Sequence, residues 1–345
     1  MKALVLAAAN TFELQDVPTP SPRNGEVLVA VRACGICGSD VHGMDGSTGR
    51  RQPPIIMGHE AAGVIAAVGE GVTAWRAGDR VTFDSTVYCG ACAFCREGRV
   101  NLCDARRVLG VSCNEYRQDG AFAEYVAVPE RTLYRIPDGV PFEHAAMTEP
   151  VSVALHAVAR VAFAPRGGAV VIGAGTIGLL IVQALRVHGC EPIIAVDVDP
   201  SRLDRAFALG AHAMIDARHA DVANEVRQWT NGLGAGAVFE AVGTDETVST
   251  AIASARKGGA VVLVGNVSPH VGLPLQQVVT RELALYGSCA SAGEYTSCLD
   301  LLARGSVRVA PLISAVAPLE EGPEWFRRLH ARENGLMKVV LRPSQ

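Results

Sequence analysis

Four cysteines, Cys89, Cys92, Cys95 and Cys103, are spaced C-x2-C-x2-C-x7-C. Four soft thiolates so close together suit tetrahedral zinc. The bacterial iron–sulfur motif has three residues before its fourth cysteine and a proline after it, whereas seven separate the last pair here and Asp104 follows. With every coordination position filled by cysteine, no site stays open for a substrate, so this zinc is structural. A zinc-ribbon nucleic-acid module is the reading of the same residues in a different functional class. A second set is dispersed: Cys37-Gly38-Ser39-Asp40-Val41-His42, then Gly58-His59-Glu60, then Glu149-Pro150. Singly, each is ordinary, because a lone histidine is more often a hydrogen-bonded core residue and a lone cysteine a small buried hydrophobe. Together they offer a thiolate, an imidazole and carboxylates, the mixed ligand set of a zinc site that keeps a position open for chemistry.

A third pattern carries phosphate chemistry. The apolar run 169–172 leads into Gly173-Ala174-Gly175-Thr176-Ile177-Gly178, which opens the helix-like run 179–187. In this strand–turn–helix setting the first glycine turns sharply, the second admits a pyrophosphate close to the backbone, and the third allows close helix packing. The helix N-terminus then faces the phosphate charge. Nineteen residues beyond Gly178 stands Asp197, placed to accept the ribose hydroxyls of NAD and to repel the 2′-phosphate of NADP. Asp199 adds to that repulsion, and Arg202 opposes it. NAD is the expected cofactor.

These residues need two kinds of scaffold. Up to about residue 150, short β-rich runs (26–31, 63–68, 80–83, 123–128) alternate with glycine, proline, aspartate and asparagine, the texture of an antiparallel or barrel-like domain. From about 153, apolar strands at 169–172, 192–197, 237–241 and 260–264 alternate with helical patterns, which gives a doubly wound parallel sheet. Helical stretches near 294–303 and 323–331 and a strand at 337–341 close the chain, and this tail is expected to pack on the first domain. The 345 residues are 49% hydrophobic, with 31 basic against 35 acidic side chains and a net charge of -4, so nothing in the composition favours gripping nucleic acid or anionic lipid. The apolar start, residues 3–9, falls short of a secretory signal and reads as a first strand. A cytoplasmic protein acting on a small molecule, with neither nucleic acid nor membrane as partner, is the expectation.

The order of these motifs resembles that of the zinc-dependent medium-chain dehydrogenases over nearly the whole chain. A glutamate at 149, where many alcohol dehydrogenases carry cysteine, is similar to the sorbitol and polyol-phosphate dehydrogenase branch, with threonine and butanediol dehydrogenases as neighbours. The resemblance implies an α/β protein with a GroES-like catalytic domain over 1–152, completed by 289–345, with a zinc lobe at about 86–105. A Rossmann domain over 153–288 would be inserted, and the active site would lie in the cleft between the two. It implies two zinc ions per chain and NAD, with Cys37 and His59 as catalytic zinc ligands and Glu60 and Glu149 sharing the remaining metal work. Asp40 resembles the acid that orients the zinc-bound imidazole, and Ser39 and His42 a proton relay. Lys338 resembles the basic residue that reaches the cofactor pyrophosphate, and Arg281 lies in a segment bordering the substrate pocket. The implied reaction transfers hydride from a secondary alcohol, a polyol or its phosphate, to NAD. Arg50, Arg51 and Arg117 are candidate cations for a phosphate. A homo-oligomer is also implied. A zinc-lacking quinone-type reductase shares the architecture, and Cys37, His59 and Glu149 argue against it.

Overall fold

A computed structural model describes residues 1–161 and 167–344. The chain divides into two compact units, one comprising Met1–Glu149, Ala292–Arg304 and Val309–Gln345, the other Pro150–Ser291 and Gly305–Arg308.

The first unit is built on the strand Glu26–Gly35, Glu-Val-Leu-Val-Ala-Val-Arg-Ala-Cys-Gly, in which all residues but Glu26 and Arg32 are buried. Such a continuous apolar run suits a strand covered on both faces. It pairs antiparallel with Glu60–Val68, Tyr125–Pro129 and Lys338–Arg342, at the centre of a seven-stranded sheet. Gly35 is a crossing point, paired with Glu60 on one side and Val340 on the other. Register therefore brings Cys37, His59, Glu60 and Lys338 to one end of three neighbouring strands. Glycine at 35 is required, because a Cβ there would lie 2.3 Å from Glu60 Oε2. A core of Leu4, Leu6, Phe83 and Phe122 backs the sheet, and Phe326 stacks on Phe12 at 4.3 Å and meets Phe122 edge-on. The expected first strand runs Lys2–Ala8, and the closing strand Lys338–Arg342 joins this sheet as the sequence implied.

The second unit holds a six-stranded, wholly parallel sheet ordered Ala213–Asp216, Ile193–Asp197, Ala169–Ile172, Ala235–Glu240, Ala255–Leu263, Ala284–Gly287. Numbered along the chain this is 3-2-1-4-5-6, the doubly wound Rossmann order, whose switch point falls between Ala169–Ile172 and Ala235–Glu240. The central strands are buried on both faces, which is why they read as Val, Ile and Ala without alternation. The fold is the expected α/β class. Among the described residues, no helix is long and apolar enough to cross a membrane.

Candidate active site

Cys37, His59 and Glu60 present ligand atoms that all lie within 4.8 Å of one another. Cys37 caps the helix Gly38–Gly43, and Asp40 in its first turn reaches back to accept the Cys37 N–H at 3.3 Å. The other Asp40 oxygen accepts from Arg51 Nε at 3.3 Å and Nη2 at 2.9 Å and lies 3.4 Å from His59 Nδ1. Burial alone would push the Asp40 carboxyl up, yet the charges of His59 and Arg51 prevail and hold it well below the ordinary carboxylate range. Asp40 therefore faces the imidazole.

The structure places Lys338 inside this cluster, where the residue is 3% exposed and its ammonium is engaged by three acceptor atoms. It donates to Glu60 Oε1 at 2.9 Å, Glu60 Oε2 at 2.7 Å and the Ile36 carbonyl at 2.9 Å. Once desolvated, an ammonium stays charged only beside an acid, and Glu60 supplies it. Glu149, in the first turn of the helix Thr148–Ala159, is half-buried nearby and stands outside the 4.8 Å set. Burial is the main reason its carboxyl is pushed up to about 7; His59 opposes the shift and the Glu60 charge adds to it. His59 is raised well above its ordinary value, because Asp40 and Cys37 outweigh its own burial. The residues fit a divalent metal: a cysteine sulfur, an imidazole and a carboxylate offer ligand atoms within 4.8 Å of one another, the mixed donor set of an open zinc site.

Ser39 and His42 are both exposed, three residues apart and so on one face of the short helix. Three proposed cations are otherwise committed. Arg51 is buried against Asp40, Arg117 pairs with Asp119 at 3.4 Å, and Arg281 donates to the Ile252 carbonyl at 2.9 Å and to Ala255, closing the end of the helix Asp245–Ser254. Arg281 thus serves a helix C-terminus, where last-turn carbonyls lack partners. Arg50 reaches only the Tyr116 hydroxyl, at 3.5 Å.

The second cluster gathers Cys89, Cys92, Cys95 and Cys103, with every sulfur within 4.8 Å of the others. Cys89 and Cys95 lie 3.9 Å apart, too far for a disulfide. The edge of a zinc–thiolate tetrahedron with ~2.3 Å bonds is about 3.8 Å, so the spacing fits a metal. Backbone N–H groups of Ala91 and Cys92 approach Cys89 Sγ at 3.3 Å each and lower its thiol to about 6, toward the anion a metal needs.

In the second unit, Gly173 adopts φ +93°, and a Cβ on Gly178 would lie 1.7 Å from the Gly173 carbonyl oxygen. Gly175 caps the helix Thr176–Val187 without a side-chain acceptor, and nothing lies within 4 Å of where its Cβ would be. Thr176 and Ile177 begin that helix, so their N–H groups belong to the unsatisfied first turn. The loop fits a dinucleotide pyrophosphate: forced glycines, open space and free helix donors. Asp197, at the end of its strand, accepts from Ala174 N at 2.6 Å, Val198 N at 2.8 Å and Asp199 N at 2.9 Å. Asp199 caps the next helix through Ser201 N and lies 3.6 Å from Arg202 Nε, so these two charges largely cancel.

Comparison with known proteins agrees with this geometry. Residues 23–138 match the alcohol dehydrogenase GroES-like domain and residues 176–304 the zinc-binding dehydrogenase family. The chain belongs to the zinc-dependent medium-chain dehydrogenase superfamily. It is an oxidoreductase, a zinc-dependent polyol or alcohol dehydrogenase that works with zinc and a nicotinamide dinucleotide. Sorbitol dehydrogenase of Bacillus subtilis (strain 168) is 35% identical over 100% of this chain and 98% of its own length. D-xylulose reductase A of Aspergillus oryzae is 35% identical over 95% and 93%. Among solved structures, a short chain alcohol dehydrogenase from E. coli CFT073 complexed with NADH gives a TM-score of 0.92 at 30% identity, covering 99% of each chain. A zinc-binding dehydrogenase from Sinorhizobium meliloti 1021 bound to NADP gives 0.90 at 32%, also covering 99% of each. Galactitol-1-phosphate dehydrogenase from Escherichia coli gives 0.89 at 28%, covering 99% of this chain and 100% of that one.

Proposed function

We propose that the protein oxidises the secondary hydroxyl of an uncharged polyol to a ketone, with NAD as hydride acceptor. The observation that carries this reading is the convergence of Cys37, His59 and Glu60, with ligand atoms within 4.8 Å of one another and Asp40 3.4 Å from the His59 ring. Cys37 and His59 hold the catalytic zinc, Glu149 supplies a carboxylate from the first turn of the helix Thr148–Ala159, and Glu60 is neutralised by Lys338. Cys89, Cys92, Cys95 and Cys103 hold a second, structural zinc. The first unit is the catalytic domain and the second the dinucleotide domain, divided after Glu149 and after Ser291.

When bound, zinc supplies positive charge that makes a substrate hydroxyl acidic near neutral pH, and the nicotinamide supplies the hydride acceptor. The protein's own side chains handle the proton. Ser39 Oγ receives it and His42, one turn further along the same helix face, passes it to water. Asp40 keeps the His59 ring turned with Nε2 toward the metal. The loop Gly173 to Gly178 holds the pyrophosphate, and Asp197 accepts the ribose hydroxyls with Arg202 drawn off by Asp199. An unphosphorylated polyol is favoured because two cations of the site, Arg51 and Lys338, are held in buried ion pairs.

A homo-oligomer is supported by the strand Ala284–Gly287, which lies at a sheet edge, and by exposed Leu273, Leu275 and Val279 in the preceding segment. A cytoplasmic location, and the lack of nucleic-acid or membrane partners, rest on the net charge of -4 and on four of the ten cysteines being grouped as a metal-ligand set. A panel of sugar alcohols, polyol phosphates, threonine and butanediol with NAD and NADP, run beside elemental analysis, tests the reading. Activity confined to polyol phosphates or to threonine would overturn the substrate class.

A further inference from the structure

One buried cation has no part in the reading so far. The Arg51 side chain is 5% exposed, on a loop eleven residues beyond Asp40. Its Nε and Nη2 donate to Asp40 Oδ1, the same Nη2 approaches Ser39 Oγ at 3.4 Å, and Nη1 donates to the Arg50 carbonyl at 3.1 Å. Gly43 makes room for it, since a Cβ there would meet Arg51 Cγ at 2.6 Å.

We propose that Arg51 is a positioning residue for alcohol oxidation, its guanidinium fixing at once the carboxylate that faces the metal ligand His59 and the hydroxyl that takes the substrate proton. The proposal rests on the dehydrogenase reading above.

Two lines of geometry support it. First, Asp40 is locked by attachments that all belong to the site: Oδ2 to the Cys37 N–H, Oδ1 to Arg51 and toward His59 Nδ1. Without Arg51 a fully buried carboxylate would keep only the imidazole as a positive partner, and its rotation would no longer be set. Groups that hold a metal-bound histidine commonly change metal affinity or activity by about 10- to 100-fold when removed. Second, Ser39 Oγ accepts from Arg51, which turns its remaining lone pair and its O–H outward. As the substrate O–H bond breaks, its proton bonds to Ser39 Oγ while the Ser39 proton leaves for His42, so the oxygen gains no net charge. Any electron density that builds up on it between those transfers faces a guanidinium. Lysine cannot reproduce this, because a single ammonium lacks the planar fork that reaches two acceptors.

The test uses full-length Arg51→Lys and Arg51→Ala beside wild type. Zinc release to a chelator is followed by colour, with the four-cysteine zinc as the internal reference. The non-cysteine zinc should leave at least about tenfold faster from both variants, the reference zinc at the wild-type rate. Turnover should fall about 10- to 100-fold with little change in KM for NAD, and the solvent deuterium isotope effect on kcat should rise as proton transfer becomes limiting. Free guanidinium should restore part of the turnover of Arg51→Ala and none of that of Ser39→Ala. If Arg51→Ala fails to fold, Arg51→Lys carries the test. Zinc release, isotope effect and turnover all within about twofold of wild type would reduce Arg51 to a structural part and overturn the proposal. A wild type that oxidises no alcohol overturns the functional reading instead, and zinc release then judges the hold on Asp40 and His59 alone.

Discussion

Asp197→Asn isolates the electrostatic basis of cofactor choice. The substitution keeps an oxygen that can accept the N–H groups of Val198 and Asp199 but removes the charge. A 2′-phosphate about 5 Å from a carboxylate meets ~0.8 kcal/mol of repulsion per unit charge in bulk water and about 3 kcal/mol at an effective dielectric of 20. Asp199 adds little to this, since Arg202 sits 3.6 Å away. For a site at the mouth of a buried strand end, about 1.4 to 3 kcal/mol is the reasonable interval, a 10- to 150-fold change in the NAD to NADP ratio. The Ala174 N–H, which gives its proton to Asp197 at 2.6 Å, would loosen the glycine loop, but that loss falls on both dinucleotides equally and leaves the ratio untouched. Steady-state kcat/KM for both cofactors in both proteins measures it. A wild type that prefers NADP, or a mutant that loses both efficiencies in equal proportion, would show that Asp197 does not read the ribose.

Further outcomes are expected elsewhere in the molecule. Elemental analysis should give about two zinc per chain. Cys103→Ser should remove one of them and lower the melting temperature. Lys338→Met should destabilise the fold by about 3–5 kcal/mol in a denaturant titration, because it strands the buried Glu60 carboxylate; an unchanged midpoint would mean Glu60 is held by something else. Tyr295→Phe should be neutral or stabilising, since its fully buried hydroxyl has no hydrogen-bond partner. Asp84, raised by burial from 3.8 to about 6, binds its proton more tightly when folded, so its destabilisation is absent below 3.8, grows as pH rises from 3.8 to about 6 and is complete above that. Asp84→Asn should thus stabilise near pH 7.5, by up to about 3 kcal/mol, and have no effect near pH 3.5, as read from thermal melts.

Two of the three motifs were legible because each is local. Cys89 to Cys103 and Gly173 to Gly178 each place their chemistry within one loop or one helix turn, and spacing alone reports it, whereas Cys37 to His42 gains its meaning only beside His59, Glu60 and Glu149 and from the order of the motifs. The parallel strands were equally plain, since burial on both faces forces unbroken apolar runs such as Ala169–Ile172. The partnerships of Lys338 and Arg51 were not legible. Glu60 and Lys338 are 278 residues apart and meet only because Gly35 pairs with Glu60 and Val340 in the same sheet. Arg51, in a loop of mixed polarity, looked like any solvated arginine; the one local clue to its burial is Gly43, which leaves the space it fills.

The pairing of Lys338 with Glu60 also sets an order of events during synthesis. Cys37, His59 and Glu60 leave the ribosome early, together with the strands that carry them, while the cation that neutralises Glu60 follows only after the whole parallel sheet has been made. Until then the end of the Glu60–Val68 strand carries an unbalanced charge where the finished protein is dry. Closing that end must wait for a contact of very long sequence separation, the kind that forms slowly because loop-closure entropy precedes its reward. A nascent chain halted before the Lys338–Arg342 strand should therefore hold its four-cysteine zinc firmly and its other metal poorly, even with every ligand to that metal already translated.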